Sequence, residues 1–212
     1  MIFARDPVPG AVKTRLARAI GPEAAAELYA AFVEDLAARL AGATDDVRWE
    51  IAPPEGGFAE RFGIAREACR PQQGADLGDR MRSAFERARR EGYGACAIVG
   101  SDMPQLAPAT VADAFARLAH ADLVLGPADD GGYYLIAMRE PHEVFSGIPW
   151  STPEVLARTL RRARELGLAV ALLARDFDVD DESDVARLRG LLAARPDLAA
   201  ALPATSRALR TR

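Results

Sequence analysis

Short apolar runs alternate along the chain with longer segments whose apolar residues recur every three or four positions, the pattern of strands interleaved with amphipathic helices. Met1–Arg5 is a short apolar run that stops at Asp6-Pro7 and a Pro-Gly turn. Leu28, Phe32, Leu36 and Leu40 then form one stripe after Gly21-Pro22 and before Gly42, which predicts a long helix over 22–40. Val47, Trp49 and Ile51 alternate as strand residues do. Further helices are predicted over 77–90, 108–120, 152–166 and 183–194, the third with Thr152 as cap and Pro153 at its first position. The runs ACAIVG (95–100), DLVLG (122–126), YYLIAM (133–138) and AVALL (169–173) read as strands.

ACAIVG is apolar on both faces, as a central parallel strand would be. Only PADDGG separates DLVLG from YYLIAM. A parallel crossover takes about a dozen residues or more, so the sheet is expected to be mixed. Residues 1–195 read as one domain, and the Ala- and Arg-rich stretch 196–212 as a short helix or a frayed tail.

At 212 residues the chain is long enough to bury a substantial core. Its formal charge of −4 argues against a nucleic-acid partner, which favours a basic face, but leaves room for small phosphorylated ligands. Cys69 and Cys96 lack metal spacing and read as buried free thiols in a reducing, cytoplasmic setting. His120 and His142 are too scattered for a histidine-built metal site, and no apolar run matches a membrane span.

In open α/β sheets ligands bind outside the carboxyl ends of the strands, and four polar clusters fall there. In RDPVPGAVKTRL the Pro9-Gly10 turn leaves backbone N–H groups free to face an anion, and Lys13, Thr14 and Arg15 open a helical turn. That combination suits a diphosphate, although a solvated basic helix start has the same composition. Gly100-Ser101-Asp102-Met103-Pro104 puts a carboxylate directly after a buried strand, either as a ligand for a hard cation or as a turn cap. Asp176, Asp178 and Asp180 point one way if extended, whereas Asp181 to Asp184 suit a helix start. Asp129-Asp130-Gly131-Gly132-Tyr133-Tyr134 fits a hairpin turn, and its glycines also let backbone approach a sugar or acceptor. Trp150 and Ser151 line the same pocket or belong to the core.

FARDPVPGAVKTRL, QGADLGDRM, GSDMP, GPADDGGYYLI, GIPWST and FDVDDESDV together resemble a bacterial family of glycosyltransferase-A-like proteins within the nucleotide-diphospho-sugar transferase superfamily. Six motifs in order from about residue 2 to 190 carry the likeness. The resemblance implies a three-layer α/β/α sandwich with a mixed, mostly parallel sheet. It implies phosphate contacts from Lys13 and Arg15, and base or ribose contacts from Gln73, Gly74 and Asp76. Asp102 would hold Mg²⁺ or Mn²⁺, with Asp178 and Asp180 as further metal contacts. Arg5 stands where the family has lysine, which keeps the charge and changes the hydrogen-bond geometry.

The expected function is metal-dependent transfer from a nucleotide-activated donor to a small-molecule acceptor. Glycosyl transfer from an NDP-sugar is the first reading, with Asp102, Lys13 and Asp130 as catalytic residues and Arg5, Pro9, Gly10, Thr14, Arg15 and Ser101 on the phosphates. Gly131, Gly132, Tyr133, Tyr134, Trp150 and Ser151 then form the acceptor pocket. Nucleotidyl transfer from an NTP with release of pyrophosphate is the second reading, and a non-catalytic nucleotide-binding protein the third.

Overall fold

A computed structural model describes residues 1–44, 46–53 and 57–210. Seven strands form one sheet: β1 (Ile2–Ala4), β2 (Trp49–Ile51), β3 (Cys69–Pro71), β4 (Cys96–Gly100), β5 (Leu123–Pro127), β6 (Tyr133–Met138) and β7 (Val170–Leu172). Their spatial order is β3-β2-β1-β4-β6-β5-β7. All neighbours pair in parallel except β6, which runs against both β4 and β5. The five residues between β5 and β6 allow only this hairpin, so the mixed sheet follows from connection length.

The helices are α1 (Thr14–Ile20), α2 (Pro22–Leu40), α3 (Phe58–Arg61), α4 (Leu77–Arg90), α5 (Pro108–Arg117), α6 (Val155–Glu165), α7 (Glu182–Ala194), α8 (Pro196–Ala201) and α9 (Pro203–Arg210). Strand periodicity splits the core into two layers. Ala97, Val99, Val124, Leu135 and Ala137 pack with Leu16, Phe32, Leu36, Val111, Leu188 and Leu209 on one face. Ile98, Leu123, Leu125, Ile136 and Met138 pack with Met81, Phe85 and Ala163 on the other. Helices therefore cover both faces, as the α/β/α expectation requires.

Three elements differ from the sequence reading. The helix expected from Thr152 begins at Val155. Thr152 Oγ1 donates to the Pro149 carbonyl and accepts from Glu154 N, which holds residues 151–154 in a turn before the helix. β3 went unseen, because CRP carries no alternation and forms a three-residue edge strand. The stretch from Pro196 takes the helical alternative, as two short helices, and goes further than expected: Leu202, Ala204 and Leu209 are buried in the main core. The Asp35 carboxylate of α2 accepts the backbone N–H groups of Ala204 and Thr205, fastening the start of α9.

Candidate functional site

The carboxyl ends of β1, β4, β5 and β7 open into a cleft of about 690 Å³. The hairpin adds the start of β6 to the same rim, because an antiparallel strand begins where its partner ends. Lys13 is at the centre. Its backbone takes the left-handed conformation (φ 47°) just before α1, an unusual state for a non-glycine residue. Gly10 (φ 79°) makes the preceding turn. The Lys13 side chain, 4% exposed, runs inward, and Nζ lies 2.6 Å from Asp102 Oδ1 and 2.9 Å from Asp180 Oδ1. Burial works against its ammonium, but Asp102 and Asp180 outweigh that and hold its pKa above the ordinary lysine value.

Asp102 follows β4, and no helix starts there: α5 begins six residues later with Ala107 at its cap. Asp102 is thus an ion-pair partner and not a helix cap. Its carbonyl accepts from Val179 N at 3.0 Å, which ties the loop after β4 to the segment after β7. In that segment Phe177 and Val179 are buried while Asp176, Asp178 and Asp180 alternate outward. Asp178 and Asp180 face the cleft. Asp176 turns away, accepting from Phe177 N and Gln105 Nε2. Burial, together with Asp180, Asp130 and Asp102, raises the Asp178 carboxyl to about 6. Asp181 and Asp184 form a reciprocal capping box at the start of α7, the helix-start role expected of them.

Arg5, Thr14, Arg15, Asp76, Ser101, Asp130, Tyr133, Tyr134, Trp150 and Ser151 all line the cleft. Asp130 Oδ1 accepts from Gly132 N, which fixes the carboxylate within its turn. The indole of Trp150 packs against Gly78, where a Cβ would lie 2.6 Å from the ring. Trp150 is thus both cleft wall and partner of the second core layer. Ser151, like Lys13, has a positive φ (63°), so both such non-glycine residues among the described ones line this cleft.

Other expected contacts fall outside the lining. Pro9 and Gly10 shape the basic loop from the surface, and Gly131 and Gly132 form the hairpin turn behind Asp130. Gln73 and Gly74 are exposed beside the cleft, and the wall is made instead by Gln72 and Arg80. Gln72 Nε2 donates to the Glu50 carbonyl at 2.8 Å, so the end of β3 turns it inward. Tyr29 also escaped the sequence reading, lying in the apolar stripe of α2. Its hydroxyl accepts from Arg5 N and shares a hydrogen bond with Ser101 Oγ at 2.7 Å. Burial, then Asp102, pushes it up to about 12.

Among the described residues no three His, Cys, Asp or Glu side chains converge as a metal cage. What the site offers is a pair of carboxylates, Asp102 and Asp180, already sharing one cationic atom. Mg²⁺ typically takes one or two carboxylates and completes its shell with phosphate oxygens and water. The ammonium of Lys13 thus acts as a stand-in ion, and the donor set fits a divalent cation.

A second cavity, about 580 Å³, opens at the opposite ends of the strands between Asp46, Glu50, Arg87 and Tyr93. Cys69 and Cys96 are free, half-buried thiols. No described helix is long and apolar enough to cross a membrane.

The family described as an uncharacterized protein conserved in bacteria (DUF2064) matches residues 51–152. No curated protein sequence matches the chain significantly. Among solved structures, 4-diphosphocytidyl-2C-methyl-D-erythritol synthase is 15% identical with a TM-score of 0.53, over 76% of this chain and 90% of that one. CMP:2-keto-3-deoxy-manno-octonic acid synthetase complexed with CTP is 14% identical with a TM-score of 0.54, over 92% and 98%. At those identities the likeness is one of fold. A protein from Desulfovibrio desulfuricans G20, assigned as a nucleotide-diphospho-sugar transferase, is 34% identical with a TM-score of 0.84, over 99% of this chain and 96% of its own. Identity at that level, along nearly the whole length of both chains, places the present protein in the same bacterial nucleotide-diphospho-sugar transferase family.

Proposed function

We propose that this protein is a divalent-metal-dependent transferase using a nucleotide-activated donor, and that the reaction is glycosyl transfer from an NDP-sugar to a small acceptor. One observation carries the reading: two carboxylates from different strand ends share a single cationic point on the floor of a cleft. Basic and aromatic side chains line the same cleft. Asp102 and Asp180 would hold Mg²⁺ or Mn²⁺, with Asp178 beside them. When bound, the cation neutralises charge on the departing diphosphate.

The remaining roles belong to the chain's own side chains. Lys13 and Arg15 supply positive charge to the phosphates, and Arg5 adds to it from the loop after β1. Arg15 is largely exposed and 4.0 Å from Asp180, so it is free to reach an arriving anion. Tyr29 and Ser101 hold the two donor-side loops in register. Tyr133, Tyr134 and Trp150, which line the cleft, would form an aromatic wall for the acceptor, and Asp130 would take a proton from it.

Nucleotidyl transfer is favoured by one feature, the excess of carboxylates around Asp178, since a second cation would relieve it. Incubation with NDP-sugars and NTPs, with and without Mn²⁺, distinguishes the two. NDP release that requires the metal is expected. Pyrophosphate release from an NTP would replace glycosyl transfer with nucleotidyl transfer, and metal-dependent binding without turnover across an acceptor panel would support a non-catalytic nucleotide-binding protein.

A further inference from the structure

We propose that Lys13 is a built-in counter-cation: its ammonium keeps the seat of the divalent cation between Asp102 and Asp180, and gives it up when donor and metal arrive together. The inference rests on the metal-dependent reading above and adds to it an order of events. Asp102 and Asp180 come from loops after different strands, pinned to each other by the Val179–Asp102 backbone hydrogen bond. The two loops are thereby held side by side, with both carboxylates directed at one ammonium. The buried ammonium, 2.6 and 2.9 Å from one oxygen of each, compensates them both.

A divalent cation bound by the same two oxygens would compete for the position that the ammonium holds between them. It would then lie within a few ångströms of Nζ, and a single and a double positive charge at that separation exclude one another. Competition is thus built into the geometry. Lysine suits such a hand-over, because its head is a compact charge on a flexible four-carbon stem. The left-handed backbone at Lys13 aims that stem inward from the turn where the phosphates are expected. A diphosphate reaching the cleft beside the exposed Arg15 would offer the displaced ammonium a new partner. The consequence is that bare metal binds weakly, and metal and diphosphate load as a unit.

The test uses Mn²⁺ alone as the probe, titrated into the full-length protein by calorimetry or by the paramagnetic signal of free Mn²⁺. Lys13→Met and Lys13→Gln are each expected to bind Mn²⁺ at least tenfold more tightly than wild type, and Asp102→Asn to bind none. Equal or weaker binding by both lysine variants overturns the counter-cation role while leaving metal dependence intact. Absence of Mn²⁺ binding in every protein overturns the counter-cation role, while metal dependence itself is decided separately by turnover of the donor with and without Mn²⁺. Circular dichroism melts establish that each variant is folded. A crystal structure of wild type with Mn²⁺ and inorganic pyrophosphate together provides a readout that needs no variant. Lys13 Nζ is expected beyond 4 Å from Asp102, and an ammonium still bonded to both carboxylates with Mn²⁺ elsewhere overturns the proposal.

Discussion

On the cleft floor Lys13 pairs with both Asp102 and Asp180, which lets single substitutions separate binding from folding. Asp102→Asn leaves Lys13 paired with Asp180, so the core should survive the change. We expect it to abolish metal-dependent nucleotide binding while moving the melting temperature by only a few degrees, since about 1 kcal/mol corresponds to 2–4 °C at this chain length. A nucleotide titration in Mn²⁺ with a parallel melt checks both; unchanged affinity would leave Asp102 with no role beyond its ion pair. The thiols supply a pH test of the core. Burial raises both Cys69 and Cys96 above the ordinary thiol range, helped by Glu60 for the first. The thiolate is the reacting form, so less of it exists in the folded protein at a given pH. Alkylation of the native chain at pH 8 should run several-fold slower than that of the urea-unfolded chain. The gap should close as pH rises past the raised values.

At the scale of elements, the hairpin between β5 and β6 depends on Gly131. Its φ is +91°, and a Cβ there would lie 2.2 Å from the Pro153 carbonyl oxygen. Gly131→Ala combines left-handed strain with a backbone clash, and we expect about 2–4 kcal/mol of destabilisation in urea unfolding. Much of this scaffold was legible in the chain. The stripe of α2 and the run of α4 gave their bounds directly, because helical periodicity persists over many residues. The reversed direction of β6 followed from the length of one connection. What escaped was decided by tertiary contact. β3 pairs along an edge without an alternating pattern, Thr152 bonds back to Pro149 and so opens no helix, and Gln72 takes the wall position expected of Gln73. The site was readable for a similar reason: Lys13, Asp102 and Asp180 each follow a turn or strand end, so topology alone brings them to one rim. Their direct pairing was not readable, because Lys13 reaches both carboxylates only through its left-handed backbone.

At the scale of the whole molecule, the last two helices belong to the fold that carries the cleft. α9 packs on α2, and α2 also packs against α1, the helix that Lys13 introduces. Removing residues 196–212 would uncover the face of α2 around Asp35 and lose the burial of Leu202, Ala204 and Leu209. The two leucines alone contribute about 3–6 kcal/mol, a large share of the 5–15 kcal/mol typical of a domain. We expect the truncated protein to melt at least about 6 °C lower, with proteolysis near α2 as a second readout. A melt within a few degrees of the full chain would instead make the C-terminal pair an ornament.

The antiparallel β6 has one further consequence. Both ends of the β5–β6 turn emerge on the cleft side, while the basic loop and Asp102 hang from β1 and β4. Under the proposed reading, acceptor choice is therefore encoded largely in a cassette, residues 128–134, facing Trp150 and tied through Asp129 N and the Asp176 carbonyl to the segment that carries Asp178 and Asp180. A chimera carrying a relative's cassette should inherit that relative's acceptor and keep its own nucleotide.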